Sequence, residues 1–365
     1  MKFGFIDLKA QYQAYKADID QAIADVVNSA AFIMGPQVAS FEKDLQNYTG
    51  SPFTIGCANG TDALMLAMMA IDIQPGDEII TSPFTFIATG EMIALMGAKP
   101  VFVDIESDTF NIDASKIEEK ITSKTKAIIP VSLFGQPADM QVIDAIAEKH
   151  ELYIIEDAAQ SFGASYQNKK SCNLSALATT SFFPSKPLGC FGDGGAVFTS
   201  DEKLAEKIKM LRVHGESERY HHRYIGMNGR LDTLQAAVLQ VKLKHLDDEI
   251  KVRNELAAHY NTLLAGLNVI VPAVKEDCTS AWAQYTIRVK DRDTLREALT
   301  EQGIPTAVHY PIPLHLQECF ACLNLKEGSF PIAEQAAKEV MSLPMSAFLT
   351  REQQVLTVDA ITKAL

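Results

Sequence analysis

A chain of 365 residues, 47% apolar and 22% charged, carries enough apolar side chains for a large buried core and suits two domains. Its 46 acidic against 33 basic residues leave a formal charge of -13. That balance argues against general binding to nucleic acid or to an anionic membrane surface, while leaving room for a local basic pocket that takes a small anion.

The predicted elements begin with an amphipathic helical segment over residues 13–50, broken at Gly35-Pro36 and resumed through Ser40-Phe41-Glu42-Lys43-Asp44-Leu45. Short apolar runs then read as strands at 53–57, 78–81, 100–104, 126–131, 152–156, 179–183 and 195–199. Helical patterns at 61–71, 87–96 and 139–149 fall between them, the alternation of an α/β sheet covered on both faces. Composition changes after about 240. Residues 243–267 read as one long charged helix, 284–289 and 307–309 as strands, 291–302 as the helix between them, and Thr350 as the cap of a terminal helix. We therefore expect a large α/β domain over 1–245, with its N-terminal helical segment, and a smaller α+β domain over 246–365. No repeat or low-complexity linker interrupts the chain.

Apolar runs are short and broken by Asp, Gly or Pro, so no membrane span is expected. The start, Met1-Lys2-Phe3-Gly4-Phe5-Ile6-Asp7, lacks the apolar stretch and cleavage site of a secretory signal. The six cysteines show no disulfide framework, and Cys319-Phe-Ala-Cys322 has no second pair to complete a metal site. His214, His221 and His222 cluster in a polar loop without a supporting carboxylate pattern. The expectation is a cytoplasmic protein with reduced cysteines and no metal.

The chemistry concentrates in four segments. Asp157 ends the apolar run Leu152–Ile155 and is followed by small residues, where an open α/β sheet places its ligands. Cys57-Ala58-Asn59-Gly60-Thr61-Asp62 joins a strand to a helix whose free amides and positive dipole end suit a phosphate, with the Thr61 hydroxyl beside them. Lys186 lies on a turn held by Pro184 and Pro187 among Phe182, Phe183 and Leu188, and Ser181 offers one more hydroxyl. An amine that forms a Schiff base, and a carboxylate that keeps a pyridine nitrogen protonated, are what pyridoxal 5'-phosphate requires of a protein. Phe84 suits stacking on the ring, while Arg230 and the pair His309-Tyr310 suit an anionic substrate. Taken singly, each has a plainer reading: Asp157 or Asn59 as a helix cap, Lys186 as a surface lysine, Phe84 as core. Gly192-Asp193-Gly194-Gly195 leads into a strand, not a helix, so it is no dinucleotide loop, and no phosphate-binding GxxxxGK[ST] loop is present.

Together, Asn59-Gly60-Thr61-Asp62-Ala63-Leu64, Glu156-Asp157-Ala158-Ala159-Gln160, Ser181-Phe182-Phe183-Pro184-Ser185-Lys186 and Gly192-Asp193-Gly194-Gly195 give the chain its resemblance to the DegT/StrS-like nucleotide-sugar aminotransferases. The resemblance runs over nearly the whole length and implies the aspartate-aminotransferase (type I) fold. It is strongest to the subgroup that aminates C3 of UDP-2-acetamido-2-deoxy-3-oxo-glucuronate in O-antigen sugar synthesis, through Arg212-Val213-His214-Gly215, Arg219-Tyr220-His221-His222, Gly229-Arg230-Leu231-Asp232 and Pro305 to Pro313. The resemblance implies that Lys186 bonds the cofactor, Asp157 pairs with its pyridinium, Gln160 lies against the ring and Phe84 stacks on it. It implies a phosphate held by Gly60, Thr61 and Ser181, joined by Asn228 from a second subunit. Arg230, His309 and Tyr310, also expected from that subunit, would meet the sugar acid, with Phe32 and Ser185 nearby. A homodimer with shared sites, L-glutamate as donor and 2-oxoglutarate as product follow from the same resemblance. Dehydratase relatives carry His in place of Lys186, which argues against dehydration. Two other readings remain: an aminotransferase for another keto sugar, such as a dTDP-linked 3-keto- or 4-keto-6-deoxyhexose, and a catalytically inactive scaffold or regulator.

Overall fold

A computed structural model describes residues 3–365; Met1 and Lys2, with which the N-terminal reading begins, lie outside the described residues. Three helices lead in: α1 (Leu8–Ala14), α2 (Lys16–Ser29) and α3 (Pro36–Thr49). Pro36 opens α3, where its missing N–H costs nothing, and Gly50 closes it at φ 80°.

The main sheet is then laid down by β1 (Phe53–Cys57), β2 (Glu78–Thr81), β3 (Lys99–Phe102), β4 (Thr125–Ile129) and β5 (Tyr153–Asp157). The small hairpin β6 (Ser165–Tyr166) and β7 (Lys169–Lys170) precedes the last two sheet strands, β8 (Leu177–Ser181) and β9 (Gly195–Thr199). The order is β1-β9-β8-β5-β4-β2-β3. Only β9 runs against its neighbours; the β8–β5–β4–β2–β3 pairings are all parallel. Helices α4 (Gly60–Ala70), α5 (Ile87–Leu95), α6 (Met140–His150) and α7 (Glu202–Leu211) cover it. Side-chain alternation sorts the strand residues between the faces. Ile79, Ala127, Ile129, Ile155 and Val197 pack with α4, α5 and α7. Ile80, Ile128 and Ile154 face α6, while Ala178, Ala196 and Phe198 face α3 and α8 (Thr233–Leu243). Burial on both faces is why these strands are near-continuous apolar runs.

The C-terminal part is built on α9 (Leu246–Leu264), α10 (Arg292–Glu301), α11 (Pro331–Glu339) and α12 (Arg351–Ala364), around a two-stranded antiparallel ribbon. Two further strands of the large part, β10 (Glu216–Glu218) and β11 (His221–His222), form a hairpin, and the ribbon strands are β12 (Tyr285–Arg288) and β13 (Val340–Leu343). Tyr260, Tyr285, Ile287, Leu295, Leu299, Met341 and Ile361 make its core. A second apolar cluster joins this part to the rim of the main sheet, Phe84, Phe102, Phe110 and Phe134 packing with Leu314, Phe320, Phe330 and Val340.

Three expectations are corrected. The long helix expected over 243–267 is the shorter α9, Leu246–Leu264, with Asp247, Asp248 and Glu249 in its acidic first turn. Residues 307–309 form no strand: Ala307 makes one bridge to Ser342 of β13, too little for a ladder. The polar loop around His221-His222 is the hairpin β10–β11. Helix α7, missed in the sequence, opens at Asp201, whose carboxylate accepts from the amides of Lys203 and Leu204.

Gly135 shows how closely the two parts fit. It sits at φ 120°, and a Cβ there would stand 2.5 Å from the Trp282 amide nitrogen. Gly135→Ala is expected to cost about 1–3 kcal/mol through this overlap and the disfavoured backbone. Urea unfolding monitored by circular dichroism checks the value.

Candidate active site

Cross-strand register builds the site. Cys57 pairs with Gly195, and Gly195 with Ser181, so the β1–α4 turn, the 192–195 loop and the end of β8 share one edge of the sheet. Asp157 pairs with Thr179 one strand further on. This edge is the carboxyl end of the parallel strands, where open α/β sheets bind ligands.

Asn59 caps α4, its side chain accepting from the Asp62 amide at 2.7 Å. The amides of Gly60 and Thr61 open the helix, have no acceptor within it, and sit at its positive end. The turn tolerates no larger residue: a Cβ on Gly60 would stand 2.6 Å from Ser181 Cβ, and one on Gly195 2.4 Å from the Asn59 carbonyl oxygen. Backbone approach of this kind leaves amides and the Thr61 and Ser181 hydroxyls facing a single small volume, a cradle for a phosphate dianion. The Ser181 Oγ also accepts from the Phe183 amide at 3.2 Å.

Asp157, 5% exposed, ends β5 with its carboxylate toward the same cavity. Oδ2 accepts from Thr89 Oγ1 at 2.8 Å and Oδ1 from the Ala159 amide at 3.2 Å. Burial pushes the carboxyl above its ordinary range, while these two donors and the charge of Lys186 pull it back. Lys186 projects from the turn after Phe183, whose carbonyl accepts its amide at 2.9 Å. Its ammonium end is desolvated, which lowers its pKa, and Asp157 opposes the shift. A lysine so lowered supplies more of the neutral amine needed for nucleophilic attack.

The cavity encloses about 600 Å³. Gln160 is 3% exposed; its Oε1 accepts from the Phe134 amide at 2.9 Å and its Nε2 donates to the Tyr310 hydroxyl at 3.2 Å. His309 is held by Ser342 Oγ at 3.1 Å. Burial, then the Lys186 charge, lower its imidazole to about 4, so it is neutral at pH 7.

Of the residues expected from the sequence, Gly60, Thr61, Asp157, Gln160, Ser181, Ser185, Lys186, His309 and Tyr310 line this cavity. His309 and Tyr310, expected from a second subunit, face the cavity of their own chain. Phe84 does not: at 1% exposure it lies among Phe110 and Phe134, its amide tied to Ser82 Oγ, and the phenylalanines that line the cavity are Phe86 and Phe183. Phe32, Asn228 and Arg230 lie outside the cavity lining. Arg230 bridges to Cys57, and its Nε is buried with no partner among the described residues. Thr89, the partner of Asp157, was missed; its only signal is a hydroxyl in the otherwise apolar turn Ile87-Ala88-Thr89-Gly90. Asp62, Asp193 and Gln284 also line the cavity unannounced. Among the described residues no group of three or more His, Cys, Asp or Glu is arranged to hold a metal.

The model of the DegT/DnrJ/EryC1/StrS aminotransferase family matches residues 13–362. The chain belongs to this family. A Pseudomonas aeruginosa relative, UDP-2-acetamido-2-deoxy-3-oxo-D-glucuronate aminotransferase, is 49% identical over 98% of this chain and 99% of its own. The Streptomyces venezuelae dTDP-3-amino-3,4,6-trideoxy-alpha-D-glucose transaminase is 43% identical over 98% and 94%. The crystal structure of S. venezuelae DesV with a ketimine intermediate superposes with a TM-score of 0.97 at 42% identity, covering 99% and 98% of the two chains. The fold is thus that of the pyridoxal-phosphate aminotransferases, and pyridoxal 5'-phosphate is the cofactor of this aminotransferase. The residues present fit it: a glycine cradle at a helix start for the phosphate, a buried carboxylate for the ring nitrogen and an amine in the same cavity.

Thr89→Val removes the hydroxyl that favours ionised Asp157, so the carboxyl pKa should rise further. The acid limb of the kcat/KM profile is expected to move to higher pH by about one unit, the worth of one hydrogen bond to a charged group. Steady-state kinetics from pH 5 to 9 check the direction.

Proposed function

We propose that this aminotransferase carries the amino group of L-glutamate to C3 of a UDP-linked 3-keto-2-acetamido-glucuronate, a step in making surface polysaccharide of the O-antigen type in the cytoplasm. The observation that carries the sugar is the 49% identity, across both chains, to the P. aeruginosa enzyme of that specificity. Lys186 and Asp157 on one cavity carry the reaction type. Pyridoxal phosphate, when bound, supplies the electron sink for the carbon that loses its proton. Lys186 is the covalent anchor and the group that carries that proton away from the donor carbon and later returns one to the sugar carbon. Asp157 keeps the ring nitrogen protonated, and Gly60, Thr61 and Ser181 hold the phosphate. Gln160 orients Tyr310, and neutral His309 can accept or donate a hydrogen bond to substrate without adding charge.

We also propose a homodimer. Asn228, Arg230 and Phe32, with roles at the site in our reading, lie outside their own chain's cavity, and exposed Phe32, Ile33, Met34, Tyr220 and Ile225 offer apolar surface for a second copy. The second reading, a dTDP-linked keto sugar, is supported by the S. venezuelae transaminase at 43% identity.

Nitrogen-labelled glutamate with each candidate keto sugar, followed by mass spectrometry of the sugar nucleotide, separates the two. Label should appear on the UDP-linked uronate in preference to dTDP-linked 6-deoxyhexoses; the reverse preference rejects the first reading. Lys186→Ala is expected to lower turnover at least about 10³-fold, the scale of a lost nucleophile and proton carrier.

A further inference from the structure

Helix α8 passes behind the turn that carries Lys186, and two of its side chains hold that turn. Lys242 is 3% exposed, yet its Nζ donates to the Gly189 carbonyl at 2.6 Å and stands 4.7 Å from the centre of the Phe191 ring. Gln235, two helical turns earlier on the same face, accepts from the Phe191 amide at 2.8 Å. Gly189 is folded onto Pro184, so closely that a Cβ on it would stand 2.4 Å from the Pro184 carbonyl oxygen. The turn 184–189 is therefore closed around Lys186, and its closing peptide is the one that Lys242 grips.

Burying an ammonium is costly, and Lys242 has no direct carboxylate partner among the described residues. Glu249 of α9, the nearby carboxylate, is engaged by Gln11 Nε2 at 2.9 Å and Tyr15 Oη at 3.1 Å. The Cys190 thiol is pushed up to about 11 by burial, so it adds no charge at pH 7. Burial lowers Lys242 itself to about 8, the Glu249 charge opposing. A methionine of similar length would pack there without that penalty. Stability thus gives no reason for a cation at this position, whereas the carbonyl it holds gives one.

We propose that Lys242 is a positioning residue: by pinning the Gly189 carbonyl against α8 it fixes the turn, and so the direction in which Lys186 enters the cavity. The inference rests on Lys186 being the reactive amine, but not on the identity of the sugar. Misdirection of a reacting group by about 1 Å costs up to about 10²-fold in rate.

The test compares wild-type holoenzyme with Lys242→Met and Lys242→Arg. The methionine variant is expected to lose at least about tenfold in kcat, with KM for L-glutamate within about twofold and an unchanged or raised Tm. The arginine variant, which keeps a cation and a donor, should recover most of kcat. Wild-type kcat in Lys242→Met overturns the proposal, as does a kcat loss that tracks a fall in Tm and is not recovered by arginine. Should Lys242→Met fail to fold, Phe191→Leu removes the ring beside the ammonium from a partly exposed position. It should lower kcat severalfold at constant KM, and an unchanged kcat would reject the idea. An inactive wild type would instead count against the proposed reaction.

Discussion

A buried carboxylate and a desolvated ammonium that share one cavity constrain everything else in this chain. Asp157 stays useful only if it stays ionised at a place where burial favours its neutral form, and Lys186 only if it is partly neutral where a carboxylate favours its charge. Each therefore moderates the other, and the fold supplies the remaining corrections. Thr89 and the Ala159 amide hold charge on Asp157, and the closed turn against α8 aims Lys186. The sheet register that brings Ser181, Gly195 and Cys57 into one row puts the phosphate cradle on the same edge.

Much of this was legible in the sequence because local rules were strong there. Apolar runs such as Glu78-Ile79-Ile80-Thr81 and Ala127-Ile128-Ile129 can be buried only as inner strands, and all seven strands of the main sheet fall within two residues of their expected positions. The Asn59-Gly60 turn declares a capped helix, and Asp157 after an apolar run declares a strand end. Helix ends were harder. The helix expected over 243–267 is there as α9, but it starts at Leu246, after the separate α8, and ends at Leu264. At 307–309 an apolar run suggested a strand, where a single bridge joins Ala307 to the edge of β13 that β12 leaves free.

The site's outer members were less legible because they depend on which way neighbouring side chains point. Phe84 and Phe86 are two residues apart and equally aromatic; tertiary packing sends the first into the core and leaves the second at the cavity. Thr89 and Lys242 sit in helices whose apolar spacing hides them, and their roles appear only when Asp157 and Gly189 arrive from elsewhere in the chain. Arg230 and Asn228 look like ligands by residue type, yet the single chain turns neither into its own cavity.

The division of labour between Lys186 and Lys242 makes one measurement decisive. Reductive trapping of added pyridoxal 5'-phosphate with borohydride, followed by peptide mapping, reports which amine reaches the aldehyde. Lys186 lines the cavity that holds Asp157, whereas Lys242 is bound to the Gly189 carbonyl on the other side of the turn. A single label on Lys186 is the result this structure demands. A label on Lys242, or one spread over surface lysines with Lys186 unmodified, would contradict it.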